Sequence, residues 1–296
     1  MRIFVAGGTG AVGRHLVPAL VKAGHEVTAT SRTEAGLALL ESQGAAGVRL
    51  DVFDAEAVRG TVAAAAPDAI IHQLTALSDG NPADNGRIRR IGTRNLVDAA
   101  RHASVGTIVA QSISWVYEPG DAPATEGTPL DERAPEPRAG MVAAVRALED
   151  AVTGLDRHVI LRYGLFYGPG TWYRRGGLVA DVLRGDTGDP AARMLGDLAA
   201  NDAVSSFVHV EDAALAAVAA LDWPSGPVNI VDDEPAPARE WLPALAAAVG
   251  APAPAPAPAP AGGRLGWQRG ADNTLARSRG WHPVHPTWRT GFSTGG

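Results

Sequence analysis

Apolar residues follow two alternating spacings through most of the chain. Short runs rich in valine, isoleucine and leucine predict strands: RIFVAG (2–7), HEVTATSR (25–32), GVRLDV (47–52), DAIIHQL (68–74), GTIVAQS (106–112) and RHVILRYG (157–164). Between them the apolar positions fall three and four apart, as in AVGRHLVPALVKAG, TEAGLALLESQG, AEAVRGTVAAAA, GRIRRIGTRNLVDAARHA (86–103) and residues 138–152, which predicts helices. Strands separated by helices build an α/β fold with a doubly wound parallel sheet, covered on both faces.

Beyond Gly164 the alternation loosens. YGPGTWYRRGG reads as loop, FVHVEDAALAAVAAL as a short strand and helix, GPVNIVDDE as a strand and PAREWLPALAAAVG as a helix. The run APAPAPAPAP (251–260) predicts an extended polyproline spacer of about 3.1 Å per residue. The expected organisation is a dinucleotide-binding domain over 1–164, to which 207–231 returns, and a smaller C-terminal substrate-binding lobe of 165–206 and 232–296 that includes the spacer.

Composition narrows the function classes. A net charge of −6 argues against nucleic acid or an anionic membrane as partner. There is no cysteine, so thiolate chemistry and disulfides are excluded, and Lys22 is the only lysine. Strand-like sequence from Arg2 onward leaves no room for a signal peptide, and the expectation is a soluble cytoplasmic protein. Oligomeric state is left open.

The sharpest motif is GGTGAVG, which sets Gly7, Gly10 and Gly13 between a strand and a helix. Such a turn lets a pyrophosphate approach the backbone and meet the partial positive charge of a helix N-terminus, with Thr9, Ala11 and Val12 completing the loop. At the end of the second strand an acid would bond the ribose of NAD, but this chain has Ser31 and Arg32 there. A hydroxyl and a guanidinium suit a 2′-phosphate, which favours NADP(H) over NAD.

These features together resemble the extended short-chain dehydrogenase/reductases, the NAD(P)-dependent epimerase/dehydratase-like group. VAGGTGAVGRHL, LDVFD, DAIIHQLTA, GTRNLVDAAR, LRYGLFYGPG, FVHVEDAALA and RGWHPVHPTWRTGF all match segments of that family in order. The resemblance implies a Rossmann-type fold. It implies that Asp51 and Val52 frame the adenine, that Leu74, Thr75 and Ala76 run beneath the ribose, and that Tyr163, Leu165 and Phe166 meet the nicotinamide end.

The departures from the family carry more information. Its hydride transfer uses a tyrosine as acid or base and, one helical turn on, a lysine that lowers the tyrosine's pKa and holds the nicotinamide ribose. Counting back from Glu149, those positions are Met141 and Val145; the family's serine or threonine position is Ile113, with Ser112 and Ser114 on either side. Arg89 replaces an asparagine often found before GT. None of the four tyrosines has a lysine four residues on. No obligatory catalytic side chain is assigned. Ser112, Ser114, Tyr167 and Tyr173 are the candidates for a displaced acid, and His72 and His209 read as structural, with no metal-ligand spacing around them.

General acid catalysis is typically worth about 10²–10⁴ in rate, whereas positioning over the nicotinamide can be worth about 7–11 kcal/mol, so hydride transfer survives the loss of the tyrosine. A ketone beside a phenol carries its own proton donor. The expected activity is therefore NADPH-dependent reduction of a ketone or quinone carbonyl of an aromatic polyketide, of the angucyclinone type, in antibiotic biosynthesis. Ser114, Met141, Val145, Phe166, Trp172 and Tyr173 are the expected substrate contacts. The alternatives are a catalytically silent NADP(H)-binding redox sensor and a sugar-nucleotide epimerase or dehydratase. The last is disfavoured because oxidising an alcohol needs a protein base.

Overall fold

The computed structural model describes residues 1–77, 81–195, 198–254 and 264–294. Its first half runs β1 (Arg2–Ala6), α1 (Gly13–Lys22), β2 (Glu26–Ser31), α2 (Glu34–Ser42), β3 (Ala46–Arg49), α3 (Ala55–Ala65) and β4 (Ala69–His72). There follow α4 (Pro82–Arg87), α5 (Thr93–His102), β5 (Thr107–Ile113), α6 (Arg138–Val152) and β6 (Arg157–Tyr163). The remainder comprises β7 (Leu165–Tyr167), α7 (Leu178–Leu183), β8 (Val204–Ser205), β9 (Phe207–His209), α8 (Val210–Ala219), β10 (Gly226–Ile230), β11 (Ala236–Pro237), α9 (Ala238–Val249), α10 (Thr274–Ser278) and α11 (Trp288–Thr294).

Seven strands form one parallel sheet in the order β10-β6-β5-β4-β1-β2-β3, a Rossmann-type arrangement. Side chains leave a strand alternately to its two faces, and the core divides accordingly. Ile3, Val5, Ile71, Val109 and Val159 pack on one side with Leu16 and Leu20 of α1 and Ala213 and Ala217 of α8. Phe4, Ala6, Ile70, Ile108 and Ile160 pack on the other with Val58 and Val62 of α3, Leu96 of α5 and Leu148 of α6. Both faces are covered, which is why these strands read as continuous apolar runs.

Two predicted boundaries shift. The strand expected over 47–52 ends at Arg49, because Asp51 and Asp54 turn the chain: Asp51 Oδ1 accepts from Phe53 N at 3.0 Å, and Asp54 Oδ1 caps α3 through Ala57 N at 3.0 Å. The helix expected from Gly86 begins at Pro82, with Asn81 as its cap, and passes through a π turn at Ile88–Gly92 before α5. NPADNG has turn chemistry, and its helical start is set by that cap rather than by apolar spacing.

A second apolar cluster gathers the later elements. Tyr167, Tyr173, Val179, Phe207, Trp241, Leu242, Leu245, Trp288 and Phe292 pack together, with β9 paired to β7 rather than to the main sheet, while β10 extends that sheet beside β6. Within the spacer, residues 251–254 have no regular secondary structure; 255–260 lie outside the described residues. Among the described residues no helix is long and apolar enough to cross a membrane.

The C-terminal segment is held by two buried carboxylates. Asp212 accepts from Val284 N (2.7 Å) and His285 N (2.9 Å), and Asp232 accepts from Glu234 N (3.2 Å) and Trp288 N (2.9 Å). Burial outweighs these bonds and pushes Asp232 from 3.8 up to about 8. Between those values the folded chain keeps a proton that the unfolded chain has released. Stability from this group is therefore full below about pH 4 and is lost as pH rises through about 8, by up to ~1.4 kcal/mol per pH unit. Melting temperatures measured from pH 5 to pH 8 are expected to fall, and Asp232→Asn is expected to flatten that slope.

Candidate functional site

The site lies along the carboxyl ends of the parallel strands, beginning at the glycine loop after β1. Gly7 adopts φ +96°, and a Cβ there would lie 3.0 Å from the Gln73 carbonyl. At Gly13 a Cβ would fall 2.3 Å from Gly7 O and 2.5 Å from Gly8 O, so only glycine lets α1 start against the loop. Gly10 differs: its Cβ would meet nothing nearer than 3.5 Å, which leaves its outer face open. Bonds from Gly7 N to Thr30 Oγ1 (3.1 Å) and Gly8 N to Thr30 O (3.2 Å) fix the loop to β2, and Arg14 Nε holds Thr9 O at 3.0 Å. α1 opens with no side-chain cap at Val12 and no acid in its first turn, so no side chain competes with an anion for the partial positive charge at its start. Ala11 is half-buried and Val12 buried behind the loop. An open cradle and an uncapped helix start fit the pyrophosphate of a dinucleotide.

At the end of β2 the two residues expected at the 2′-phosphate separate. Ser31 is buried, its hydroxyl donating to Thr33 O (3.4 Å) and accepting from Thr33 N (3.3 Å), and it packs so closely on Gly36 that a Cβ there would lie 2.0 Å away. Its hydroxyl shapes the turn into α2 instead of standing free for phosphate. Arg32 is exposed and makes no ion pair among the described residues. Arg32→Ala is expected to lower kcat/KM for NADPH by about 10–100-fold, the worth of a charge-assisted contact, and to leave NADH unchanged; paired steady-state kinetics check it.

Asp51 is exposed and Val52 buried, with Val52 O accepting from Asn95 Nδ2 at 2.8 Å. Gly92 lets the π turn approach Val52, since a Cβ there would lie 2.9 Å from its Cγ1. Next to them Phe53 lies beneath the Arg87 guanidinium at 3.8 Å, a stacked pair that apolar spacing did not single out. After β4, Leu74 N donates to His72 Nδ1 (3.2 Å), Leu74 O accepts from Gln111 Nε2 (2.6 Å), and Ala76 N donates to Asn85 Oδ1 (3.3 Å); Thr75 between them is exposed. His72 is fully enclosed, its Nε2 3.0 Å from Thr93 Oγ1, and desolvation with the nearby Arg89 charge drives its pKa down to about 4. It is neutral and structural.

Where the family has serine, tyrosine and lysine, this chain has one apolar cluster. Half-buried Ile113 and Met141 pack with buried Val145, Val142, Val116, Leu130 and Ala134. The flanking serines point to different fates. Ser112 Oγ is buried and donates to Glu149 Oε1 at 2.7 Å, so it serves the Glu149–Arg162 pair and is not a displaced acid. Ser114 is buried with its N donating to Tyr163 O at 2.9 Å, and its hydroxyl has no partner among the described residues.

All four tyrosines are committed to the core. Tyr117 hydroxyl donates to Asn229 Oδ1, Tyr163 hydroxyl to Ala213 O (3.3 Å) and Tyr167 hydroxyl to His285 O (3.3 Å). Burial pushes Tyr117 up to about 12 and raises Tyr163, Tyr167 and Tyr173 further. Three expectations are thereby corrected. The Tyr163 side chain packs into the sheet core, and Tyr167 and Tyr173 are interior rings of the cluster around Trp241, edge-on to Phe207, where the expectation had them lining the nicotinamide end or standing as an acid. Trp172 is half-buried against the same cluster, and Leu165 is half-buried in β7. Phe166 alone of this group stays half-buried beside the sheet, 5.2 Å from the Tyr163 ring.

Two features depend on contacts distant in sequence. A cleft of about 750 Å³ is walled by Pro119, Pro135, Arg138, Leu265 and Trp267, with Arg138 stacked on Trp267 at 4.3 Å and bonded to Asp131 at 2.9 Å. His209, Glu211 and His285 also come together, their ligand atoms within 4.8 Å of one another, although no spacing in the sequence suggested a metal site. The imidazoles stack at 3.7 Å, and His209 Nδ1 accepts from Glu211 N at 3.3 Å, so the rings face each other more than a common point.

The model of the NAD dependent epimerase/dehydratase family matches residues 3–231. A "3-diazoavenalumate denitrifying reductase" of Streptomyces sp is 43% identical over 99% of this chain and 99% of its own. A "2-alkyl-3-oxoalkanoate reductase" of Stenotrophomonas maltophilia is 31% identical over 85% of this chain and 77% of its own. Among solved structures, Thermus thermophilus UDP-glucose 4-epimerase in complex with NAD superposes with a TM-score of 0.73 at 28% identity, covering 100% of this chain and 97% of that one. The glycine loop fits the nicotinamide dinucleotide bound in that structure, and the chain belongs to the NAD dependent epimerase/dehydratase family.

Proposed function

We propose that the protein is an NADPH-dependent reductase whose aromatic acceptor needs no proton from the protein. The observation that carries this is the apolar cluster of Ile113, Met141 and Val145 where the family's serine, tyrosine and lysine stand, with every tyrosine locked in the core. The loop of Gly7, Gly10 and Gly13 would hold the pyrophosphate and Arg32 the 2′-phosphate. When bound there, the dinucleotide supplies a hydride. Half-buried Met141, backed by buried Val145, and half-buried Phe166 would then give apolar contacts to a flat ring.

An ortho-diazophenol is the acceptor favoured here. It takes two electrons and one hydrogen as hydride and one proton from water. The C–N bond breaks, a C–H bond forms, and phenol and N₂ leave. No alkoxide has to be protonated within the site, so a protein acid gives little advantage. The 43% identity to a denitrifying reductase supports this reading. The second reading is the phenol-flanked ketone of an angucyclinone-type polyketide, in which the neighbouring hydroxyl protonates the developing alkoxide; the same apolar wall supports it. Epimerisation or dehydration of a sugar nucleotide needs a base to oxidise an alcohol, which this cluster does not offer.

The test follows NADPH absorbance and N₂ release with diazotised 3-amino-4-hydroxybenzoate, beside a panel of hydroxyquinones and their O-methyl ethers. One N₂ per NADPH is the expected result. Turnover of hydroxyquinones alone, lost on methylation, moves the conclusion to the ketone. NADPH binding with no turnover of either class would make the protein a silent binder. Ser114→Ala is expected to cost less than about tenfold in rate, well below the loss of a true general acid.

A further inference from the structure

The site has lost a lysine, yet it has not lost a cation. Arg89 lies in the π turn at Ile88–Gly92, which packs against α6, the helix that carries Met141 and Val145. Its arginine neighbours are occupied on the outside: Arg87 covers Phe53, and Arg90 folds back over Gly86, where a Cβ would lie 3.2 Å from its guanidinium. Arg89 turns inward and is half-buried, with its charge felt at both His72, at the end of β4, and Glu149, on α6 one turn beyond Val145.

Among the described residues, no carboxylate pairs with it. Glu149, whose charge acts on Arg89, is already engaged at both oxygens, by Arg162 Nε (2.9 Å) and Ser112 Oγ (2.7 Å) on Oε1 and by Arg162 Nη2 (2.6 Å) on Oε2. His72 is neutral. Arg89 makes no hydrogen bond or ion pair with the described residues, and Arg162 Nη1 beside the same carboxylate is buried without a partner. Among the described residues, the two guanidinium groups of Arg89 and Arg162 stand against the carboxylate of Glu149. Desolvation lowers the Arg89 pKa to about 10, which still leaves it charged at neutral pH. A half-buried cation with no counter-ion among the described residues is stabilised where a bound group supplies the negative charge.

Building on the reductase reading, we infer that Arg89 supplies the positive charge that left this site with its lysine, and that it faces the substrate oxygen that becomes negative as hydride arrives. The substrate class follows: an aromatic acceptor whose phenolic or carbonyl oxygen sits next to the carbon or nitrogen being reduced. A guanidinium cannot give up a proton at this pH, so it stabilises the oxyanion by charge and hydrogen bonds while water or the substrate's own phenol provides the proton.

The experiment compares Arg89→Met and Arg89→Lys with the wild type in three readouts. These are turnover with whichever acceptor class proves active, NADPH affinity by fluorescence titration, and the ionisation of 4-hydroxy-3-nitrobenzoate, or of a hydroxyquinone if that is the class that binds, followed by absorbance in the presence of NADP⁺. Arg89→Met is expected to lower kcat by about 100-fold, as loss of an oxyanion donor does, with NADPH affinity unchanged. The bound phenol should ionise at a pH about one unit higher than in the wild type, and Arg89→Lys should restore part of both effects. The inference is overturned if Arg89→Met leaves turnover and phenol ionisation intact. It is equally overturned if turnover falls only in proportion to NADPH affinity, which would assign Arg89 to the ribose. Failure of the diazophenol reading shows separately, in the acceptor panel of the wild type.

Discussion

Glu149→Ala is expected to destabilise the protein by about 3–5 kcal/mol and to lower its melting temperature by on the order of 10 °C. The reason is what remains behind. Arg162 is buried with Glu149 between β6 and α6, giving it two hydrogen bonds at 2.9 and 2.6 Å, while its third nitrogen has no partner and its guanidinium lies 5.0 Å from the Tyr117 ring. Burial opposes the Arg162 charge, but the bonds and charge of Glu149 outweigh it and hold the pKa above its ordinary value. Removing the carboxylate leaves that charge in the interior without a counter-ion among the described residues. Replacing both partners with apolar groups removes the charge with its counter-ion, so Glu149→Leu with Arg162→Met is expected to recover most of the loss. Thermal melts of the two single variants and the double variant settle it. Additive losses would mean the pair is not coupled.

The second large effect separates the two tasks of the glycine loop. Gly13→Ala places a methyl 2.3 Å from one backbone oxygen and 2.5 Å from another, and neither can swing away as a side chain could. The start of α1 must shift, so both thermal stability and NADPH affinity are expected to fall, the latter by at least about 100-fold. Gly10→Ala places its methyl in ordinary van der Waals contact, 3.5 Å from Gly7 O, without a positive φ to strain. Its melting temperature should hold while NADPH affinity falls by a similar factor, because the methyl occupies the room left for pyrophosphate. Calorimetric titration beside a thermal melt reads both quantities. Equal affinity in Gly10→Ala and wild type would move the cofactor away from this loop.

Much of the fold was legible because its determinants are local. α6 runs Arg138–Val152, the span its apolar spacing predicts, and the strands of the sheet advertise themselves as apolar runs because both faces are covered. The start of α4 was hidden by turn-forming residues, and the end of β3 by an apolar Val52 that packs into the core from beyond the strand's end. At the candidate site the glycine loop could be read from type and position. Ser31, Tyr163, Tyr167 and Tyr173 could not, since a hydroxyl in a sequence does not say whether it meets solvent or a backbone carbonyl. Arg89 showed only as a departure from a pattern. Its significance depends on Glu149 being engaged by Arg162 and Ser112, which no spacing reveals.

The burial of the tyrosines also bears on chemical durability. Quinones add to thiols and amines, and diazonium groups couple to phenolates. This chain has no thiol, and its single amine side chain, Lys22, stands at the far end of the ten-residue helix α1, about 15 Å from the glycine loop at 1.5 Å per residue. Its phenols are sequestered and held protonated, with Tyr117 shifted to about 12 and the other three raised beyond it. A family tyrosine at Met141, activated by a lysine at Val145, would be the most nucleophilic phenol in the protein and would sit against the electrophile. On the proposed function, a thioether at Met141, backed by buried Val145, would leave no phenol there for such an acceptor to arylate.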